Sequence, residues 1–142
     1  MDKMIGFFAL AVCVILCGVG SAIGLYKAGS AASAVIGEDA KKFSKVFILA
    51  VLPATQGIYG FVIGIIGISN LDAGWSLFAA TLPMGIVGLA TAILQGLTSV
   101  SAILAIAKND SVGAKMMLFP AMVETYAILS LVISIMLMGN LA

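Results

Sequence analysis

The chain has 142 residues, of which 63% are hydrophobic and 9% are charged, and its formal net charge is +1. Soluble domains carry about a quarter charged residues, so this composition excludes a water-soluble monomer and indicates a membrane protein. The small net charge gives no indication of a nucleic-acid partner. The sequence contains no histidine, which removes the usual general base and the commonest transition-metal ligand.

Charged residues divide the chain into long apolar runs. No charge falls within residues 4–26, 46–71 or 73–107, and beyond Lys115 only Glu124 is charged. A membrane-spanning helix needs about 20 apolar residues, whereas barrel strands would be shorter and would alternate in polarity. The pattern therefore predicts four spans, near residues 4–27, 46–69, 76–106 and 115–139.

The second half of the chain repeats the first. A shift of 67 residues aligns "PATQGIYG" with "PAMVETYA", so that Pro53 falls on Pro120 and Tyr59 falls on Tyr126. Such self-similarity indicates an internal duplication. The predicted fold is an all-α membrane protein built from two duplicated helical hairpins. The first covers residues 1–70, with helices near 4–36 and 46–69, and the second covers 71–142, with helices near 76–107 and 115–139.

Small residues on the first and third spans predict close helix packing. Gly20 and Gly24 are four residues apart on the first span, and Gly88, Ala92 and Gly96 repeat this spacing on the third. Small residues at this spacing let helix backbones approach one another in lipid. Because both spans carry such surfaces along much of their length, we expect a crowded environment with neighbours on several sides, and an inner ring of helices is such an environment.

Lysine counts predict which connections face the cytoplasm. The connection at residues 37–45 holds Lys41, Lys42 and Lys45, and the connection at 108–115 also carries two lysines, whereas the other ends of the hairpins carry few positive charges. Positively charged connections remain in the cytoplasm. We therefore expect loops 37–45 and 108–115 to be cytoplasmic and both termini to lie outside.

Polar side chains inside the spans predict a binding site near mid-membrane. Thr55, Gln56 and Tyr59 follow a helical spacing from Leu52 and share a face. Glu124 lies nine residues beyond Lys115 and Gln56 eleven beyond Lys45, so both are at a similar depth. Gln95, in the third span, lies somewhat deeper. We expect these polar groups to meet.

The chemistry of these groups suits a small hard cation. A buried carboxylate is costly unless it is protonated, paired or bound to a cation. No Lys or Arg within the spans is placed to pair with Glu124. The candidate ligands offer oxygen atoms and one negative charge, which indicates Na⁺ or H⁺ rather than a transition metal.

At these residues the chain resembles the proteolipid ring subunit of V-type rotary ATPases, in particular the sodium-transporting type. The motifs "LPATQGIYGF" and "MVETYAIL" carry the resemblance, and the four spans extend it over the whole chain. It implies that Glu124 carries one ion per chain per turn, and that Tyr59 forms a hydrogen bond to Glu124 as a latch. It implies Na⁺ ligands at Glu124, Gln95, Gln56, Thr55 and the carbonyl of Leu52. Pro53 by itself frees the carbonyl of Leu49, so the Leu52 ligand rests on the resemblance alone.

The resemblance also implies partners. These are further copies of the chain in a ring, a stator subunit with a basic residue, central-stalk subunits at the cytoplasmic loops, and membrane lipid. The chain itself is expected to be non-catalytic, since "GVGSAIG" lacks the Lys-Ser/Thr ending of a phosphate-binding loop. Two alternatives stay open: a rotor protein of the same kind that carries H⁺, and a small four-helix proton-coupled multidrug transporter in a multi-pass membrane setting.

Overall fold

The computed structural model describes residues 1–141 and is helical along nearly all of them. Its described part contains four stretches long and apolar enough to cross a membrane, which confirms the predicted all-α fold. The α-helices are α1 (Asp2–Glu38), α2 (Phe43–Val51), α3 (Thr55–Gly67), α4 (Trp75–Lys108) and α5 (Leu118–Gly139). Short 3₁₀ segments connect them, at Ala40–Lys42, Leu52–Ala54, Ile68–Ala73 and Asp110–Met117.

The second membrane stretch is interrupted where the sequence has Pro53. A proline lacks the N–H that an α-helix requires, so the chain tightens into the 3₁₀ segment Leu52–Ala54 between α2 and α3. There the Thr55 N–H donates to the Leu52 carbonyl instead of to a carbonyl four residues back. Pro120, which the repeat pairs with Pro53, lies instead in the first turn of α5, because that helix begins at Leu118.

Helices α1 and α4 are in backbone contact through glycines. A Cβ on Gly20 would lie 2.7 Å from the Leu89 carbonyl oxygen, and a Cβ on Gly96 would overlap the backbone of Gly24. Only glycine lets the two helices lie this close, as the small-residue spacing predicts. At about 1.5 Å per residue both helices exceed the roughly 30 Å hydrocarbon core, so their ends extend beyond it.

The two lysine-bearing connections lie at the same end of the molecule and are tied together. Lys42 Nζ donates to the Ala107 carbonyl at 2.8 Å, and Lys45 forms an ion pair with Asp110. The hydrogen bond from Lys45 holds the pKa of Asp110 below its usual value. Because α1 and α4 both end here, the connections between the hairpin helices form one polar cap.

The opposite end is closed by a single tight turn. Gly74 has a φ of +51°, a conformation that glycine adopts without strain, and it starts α4 directly after the 3₁₀ segment. Lys3 and Asp72 approach to 3.5 Å nearby, but both side chains are exposed, so this pair contributes little stability.

Large apolar side chains cover the outward faces of α3 and α5. Phe61 and Leu129, for example, are 59% and 64% exposed in the isolated chain. Contiguous apolar surfaces of this kind mark contact with lipid or with another protein. Glu124 of α5 is partly exposed, and its carboxylate contacts side chains of α3 and α4.

Candidate ion-binding site

Glu124 accepts hydrogen bonds from four side chains on two other helices. Its Oε2 lies 2.7 Å from Thr55 Oγ1, 2.8 Å from Gln95 Nε2 and 3.3 Å from Gln56 Nε2. Its Oε1 accepts from the Tyr59 hydroxyl at 2.6 Å. Hydrogen bonds to a charged acceptor are roughly twice as strong as neutral ones. Four hydrogen-bond donors therefore surround one carboxyl group within an apolar part of the chain.

The two glutamines are fully buried and bonded to each other. Gln56 and Gln95 both have 0% exposure, and Gln56 Nε2 donates to Gln95 Oε1 at 2.9 Å. Gln95 Nε2 also donates to the Pro120 carbonyl at 3.0 Å. Burying an amide without hydrogen bonds is costly, so these contacts explain how two glutamines are tolerated inside a membrane protein.

Thr55 connects the site to the break in the second membrane stretch. Its Oγ1 lies 3.0 Å from the Leu52 carbonyl and 3.2 Å from Gln56 Oε1, in addition to its contact with Glu124. A hydroxyl carries only one proton, so it can donate to only one of these acceptors at a time. The Leu52 carbonyl therefore faces the same hydroxyl as the carboxylate does.

The local sequence explains why these side chains point inward. Pro53 is fully buried, and the 3₁₀ segment that it imposes directs Thr55 and Gln56 toward α4 and α5. One turn further, Tyr59 lies on the same face of α3. On the α1 side of α3, the Gly57 N–H donates to Ser21 Oγ at 2.7 Å.

The structure brings together all the residues that the sequence singled out for the site. Thr55, Gln56, Tyr59 and Gln95 each contact Glu124 directly, and Leu52 contacts it only through Thr55. Sequence reasoning missed the Pro120 carbonyl as an acceptor for Gln95. The repeated proline was visible in the sequence, but no sequence pattern indicated that its carbonyl faces a side chain of α4.

Four apolar helical stretches, with one carboxylate held by polar side chains of α3 and α4, define a multi-pass membrane protein with a polar site inside its spans. Within residues 1–141 no cluster of three or more His, Cys, Asp or Glu could hold a metal, so a multi-carboxylate metal centre does not fit the described part. One carboxylate with neutral oxygen donors suits a monovalent ion.

Comparison with known proteins supplies the particular family. The chain belongs to the C-subunit family of ATP synthases, whose model matches it twice, at residues 8–67 and 78–137. The V-type sodium ATPase subunit K of Enterococcus hirae is 41% identical over 138 residues, covering 93% of this chain and 88% of that protein. The A-type ATP synthase subunit K of Methanocaldococcus jannaschii is 35% identical over 137 residues, covering 95% and 62% respectively.

These matches confirm the resemblance found in the sequence. The chain is a membrane-sector subunit of a rotary ATPase and a multi-pass membrane protein, as its four apolar helical stretches also indicate.

Proposed function

We propose that the chain is the ion-carrying rotor subunit of a Na⁺-translocating V-type ATPase. Several copies form a ring that turns against a stator subunit with a basic residue. Each Glu124 takes up an ion from one access path and releases it to another. The observation that carries this proposal is the convergence of Thr55, Gln56 and Gln95 on Glu124 from two other helices.

The choice of Na⁺ over H⁺ rests on the cost of these neighbours. A proton requires only the carboxylate, whereas each further polar side chain in hydrocarbon carries a cost of its own. Sodium gives them a shared role: Glu124 supplies the charge, and Gln56 and Gln95 supply amide oxygens. The Thr55 hydroxyl and the Leu52 carbonyl are the remaining proposed ligands. The similarity to a sodium ATPase subunit supports the same choice.

Tyr59 is proposed as the latch of the site. Its hydroxyl bonds the Oε1 atom, whereas the three other donors bond Oε2. The two carboxylate oxygens therefore have separate tasks. Tyr59 holds the carboxylate in position, and Oε2 faces the residues proposed as cation ligands.

The proposed orientation places loops 37–45 and 108–115 in the cytoplasm and both termini outside. The lysines of the polar cap support this orientation through the positive-inside rule. There the loops would dock the central stalk. The two family matches support a duplicated chain with hairpins at 1–70 and 71–142, of which only the second carries a carboxylate within its spans. The chain then moves one ion per turn and hydrolyses nothing, because ATP chemistry belongs to partner subunits.

A carbodiimide protection assay on the intact ring tests the choice of ion. Carbodiimides react with protonated carboxyl groups, so Na⁺ bound at Glu124 should slow the modification. Protection should increase as the pH rises, because protons then compete less. If millimolar Na⁺ gave no protection at any pH while Glu124 still reacted, the site would be a proton site with polar packing around it. The mass of the assembly in mild detergent separates a ring from a small multidrug transporter.

A further inference from the structure

The hydrogen bonds between the two glutamines restrict which oxygens can face one cation. The Gln56 amide nitrogen lies 2.9 Å from Gln95 Oε1 and 3.3 Å from Glu124 Oε2. Its N–H groups are therefore directed at the two oxygens that the proposed site would use. A cation cannot contact both of these oxygens while amide donors point at them, because the donors carry partial positive charge.

Gln95 is held in one orientation. Its two N–H groups are both engaged, with the Pro120 carbonyl at 3.0 Å and Glu124 Oε2 at 2.8 Å. Turning this amide over would place the oxygen of a fully buried side chain against two acceptors and remove the side-chain donor of the Pro120 carbonyl. Such a loss costs about 1–3 kcal/mol for each unsatisfied group. Gln95 Oε1 therefore stays directed toward Gln56.

Gln56 differs because a half-turn of its amide would direct its oxygen at Gln95 Oε1 and Glu124 Oε2, the two oxygens that a bound cation would bridge. Its Oε1 lies 3.2 Å from Thr55 Oγ1, and a hydroxyl can accept as well as donate. After a half-turn of the terminal amide, Nε2 would donate to Thr55 and Oε1 would lie beside Gln95 Oε1. Thr55 still has the Leu52 carbonyl, at 3.0 Å, as an acceptor for its own proton.

We propose that the Gln56 side-chain amide makes this half-turn when a cation binds, while the Pro120 carbonyl holds Gln95 fixed. The inference rests on the proposed function and assigns different roles to two residues of the same type. Gln56 donates an N–H to the carboxylate after the ion leaves and offers an oxygen when the ion returns. The Gln56 side chain thus serves Glu124 both when the ion is bound and when it has left.

Solid-state NMR on the lipid-reconstituted ring tests the half-turn, since Gln56 and Gln95 are the only glutamines in the sequence. Rings labelled with ¹³C,¹⁵N-glutamine and ¹³C-proline are compared in NaCl and in choline chloride of equal ionic strength. In choline, we expect a dipolar contact between Gln56 Nε2 and the Gln95 side-chain carbonyl. Sodium should abolish it and shift both amide ¹³C signals. The contact between Gln95 Nε2 and the Pro120 carbonyl should persist.

The outcomes separate the half-turn from the sodium site itself. If sodium shifts the amide carbons while the Gln56–Gln95 contact survives, the half-turn is wrong and the sodium site stands. Loss of the Gln95–Pro120 contact on adding sodium would overturn the fixed role of Gln95. If sodium changes neither the amide ¹³C shifts nor the Gln56–Gln95 contact, the proposed sodium function fails, and the half-turn fails with it. No substituted protein is needed, so misfolding of a variant cannot obscure the result.

Discussion

In each hairpin the later of the two membrane stretches carries the repeated Pro-Ala motif, but the two stretches differ in what they contribute to the site. In the first, Pro53 lies within a membrane stretch, and the 3₁₀ segment beside it presents Thr55 and Gln56. In the second, Pro120 lies in the first turn of α5, and the charge follows at Glu124. The first copy supplies only neutral donors, whereas the second supplies the carboxylate together with Gln95 of α4. The comparison teaches that a duplicated unit can divide a single site between its copies.

The position of the first hairpin that corresponds to Glu124 is tightly packed against α1. Gly57 packs against Ser21, and a Cβ there would meet Ser21 Oγ at 3.0 Å and Ser21 Cβ at 3.2 Å. The Gly57 N–H also uses the same hydroxyl as its acceptor. Any side chain at this position would therefore require Ser21 of α1 to shift.

Removing the charge from the second hairpin should have the largest effect. Glu124→Gln keeps the shape of the side chain but loses the negative charge that balances a cation. We expect ion transport by the reconstituted enzyme to fall to background and carbodiimide labelling to disappear. Transport by Glu124→Asp, which retains the charge on a shorter side chain, provides the comparison. Substantial transport by Glu124→Gln would contradict the assignment of Glu124 as the ion carrier.

Moving the carboxylate to the first hairpin should not restore function. Gly57→Glu in the Glu124→Gln background places the charge against Ser21, where the amide pair of Gln56 and Gln95 is not available to it. We expect no transport and a ring that dissociates at lower temperature. Gly139→Glu serves as a control for the added residue, because a Cβ at Gly139 has no heavy atom within 4 Å.

Direct ion counting extends this comparison to the unsubstituted ring. We expect one Na⁺ per chain at saturation, measured on purified rings of known protein content. Two ions per chain would show that the first hairpin also carries a site.

Truncating the neutral donors should weaken sodium binding without removing the carrier. Gln95→Ala and Gln56→Ala each remove a fully buried amide that contacts Glu124. The loss of a buried hydrogen-bonding partner costs about 1–3 kcal/mol, which corresponds to about a 5- to 150-fold higher Na⁺ concentration for protection against carbodiimide. Gln95→Ala should also remove the side-chain hydrogen bond to the Pro120 carbonyl.

A matched control for the glutamine variants lies on the same helix. Thr98 bonds the Leu94 carbonyl of its own helix, so Thr98→Ala should leave sodium protection unchanged. Equal protection in Gln95→Ala and Thr98→Ala would contradict the role of Gln95 as a ligand.

Removing the lysine charges of the polar cap should have a smaller effect, on the attachment of the central stalk, and this effect should depend on salt. Lys42 and Lys45 bond within the chain, whereas Lys41 has an exposed side chain. Replacing all three with Gln should loosen the attachment of the central stalk and make it more sensitive to salt, because screening weakens exposed charges. Lys41→Gln alone should change attachment but not ring stability. Unchanged attachment of the triple variant at high salt would leave these lysines with a role in topology only.

The smallest effect is expected at the exposed pair of Lys45 and Asp110. Because the folded pKa of Asp110 is lowered, its ionised form stabilises the fold above its unfolded pKa, and this contribution disappears as the pH falls through the folded pKa. Asp110→Asn should therefore lower the melting temperature of the ring slightly at neutral pH and not at strongly acidic pH. Glu38→Gln, at the other connection, is the matched control, and an equal effect of both variants would contradict a specific pair.

Much of the architecture follows from the sequence because the hydropathy of a segment depends only on its own residues. An apolar run must be helical in lipid whatever its neighbours are, so the absence of charge alone predicts four helices. Helix periodicity places Thr55, Gln56 and Tyr59 on one face, and the distance from flanking lysines gives a common depth with Glu124. The break at Pro53 does not follow from the proline alone, because Pro83 lies inside α4 without interrupting it.

Tertiary structure alone decided which donor meets which acceptor. The partners of Glu124 lie 29 to 69 residues away along the chain, so each contact depends on the rotation and axial offset of whole helices. The Pro120 carbonyl as an anchor for Gln95, and Ser21 in the space beside Gly57, follow from that offset. A one-dimensional pattern records the depth and face of a residue. It does not record the angle between two helices, and hydrogen bonds change partners over differences of about an ångström.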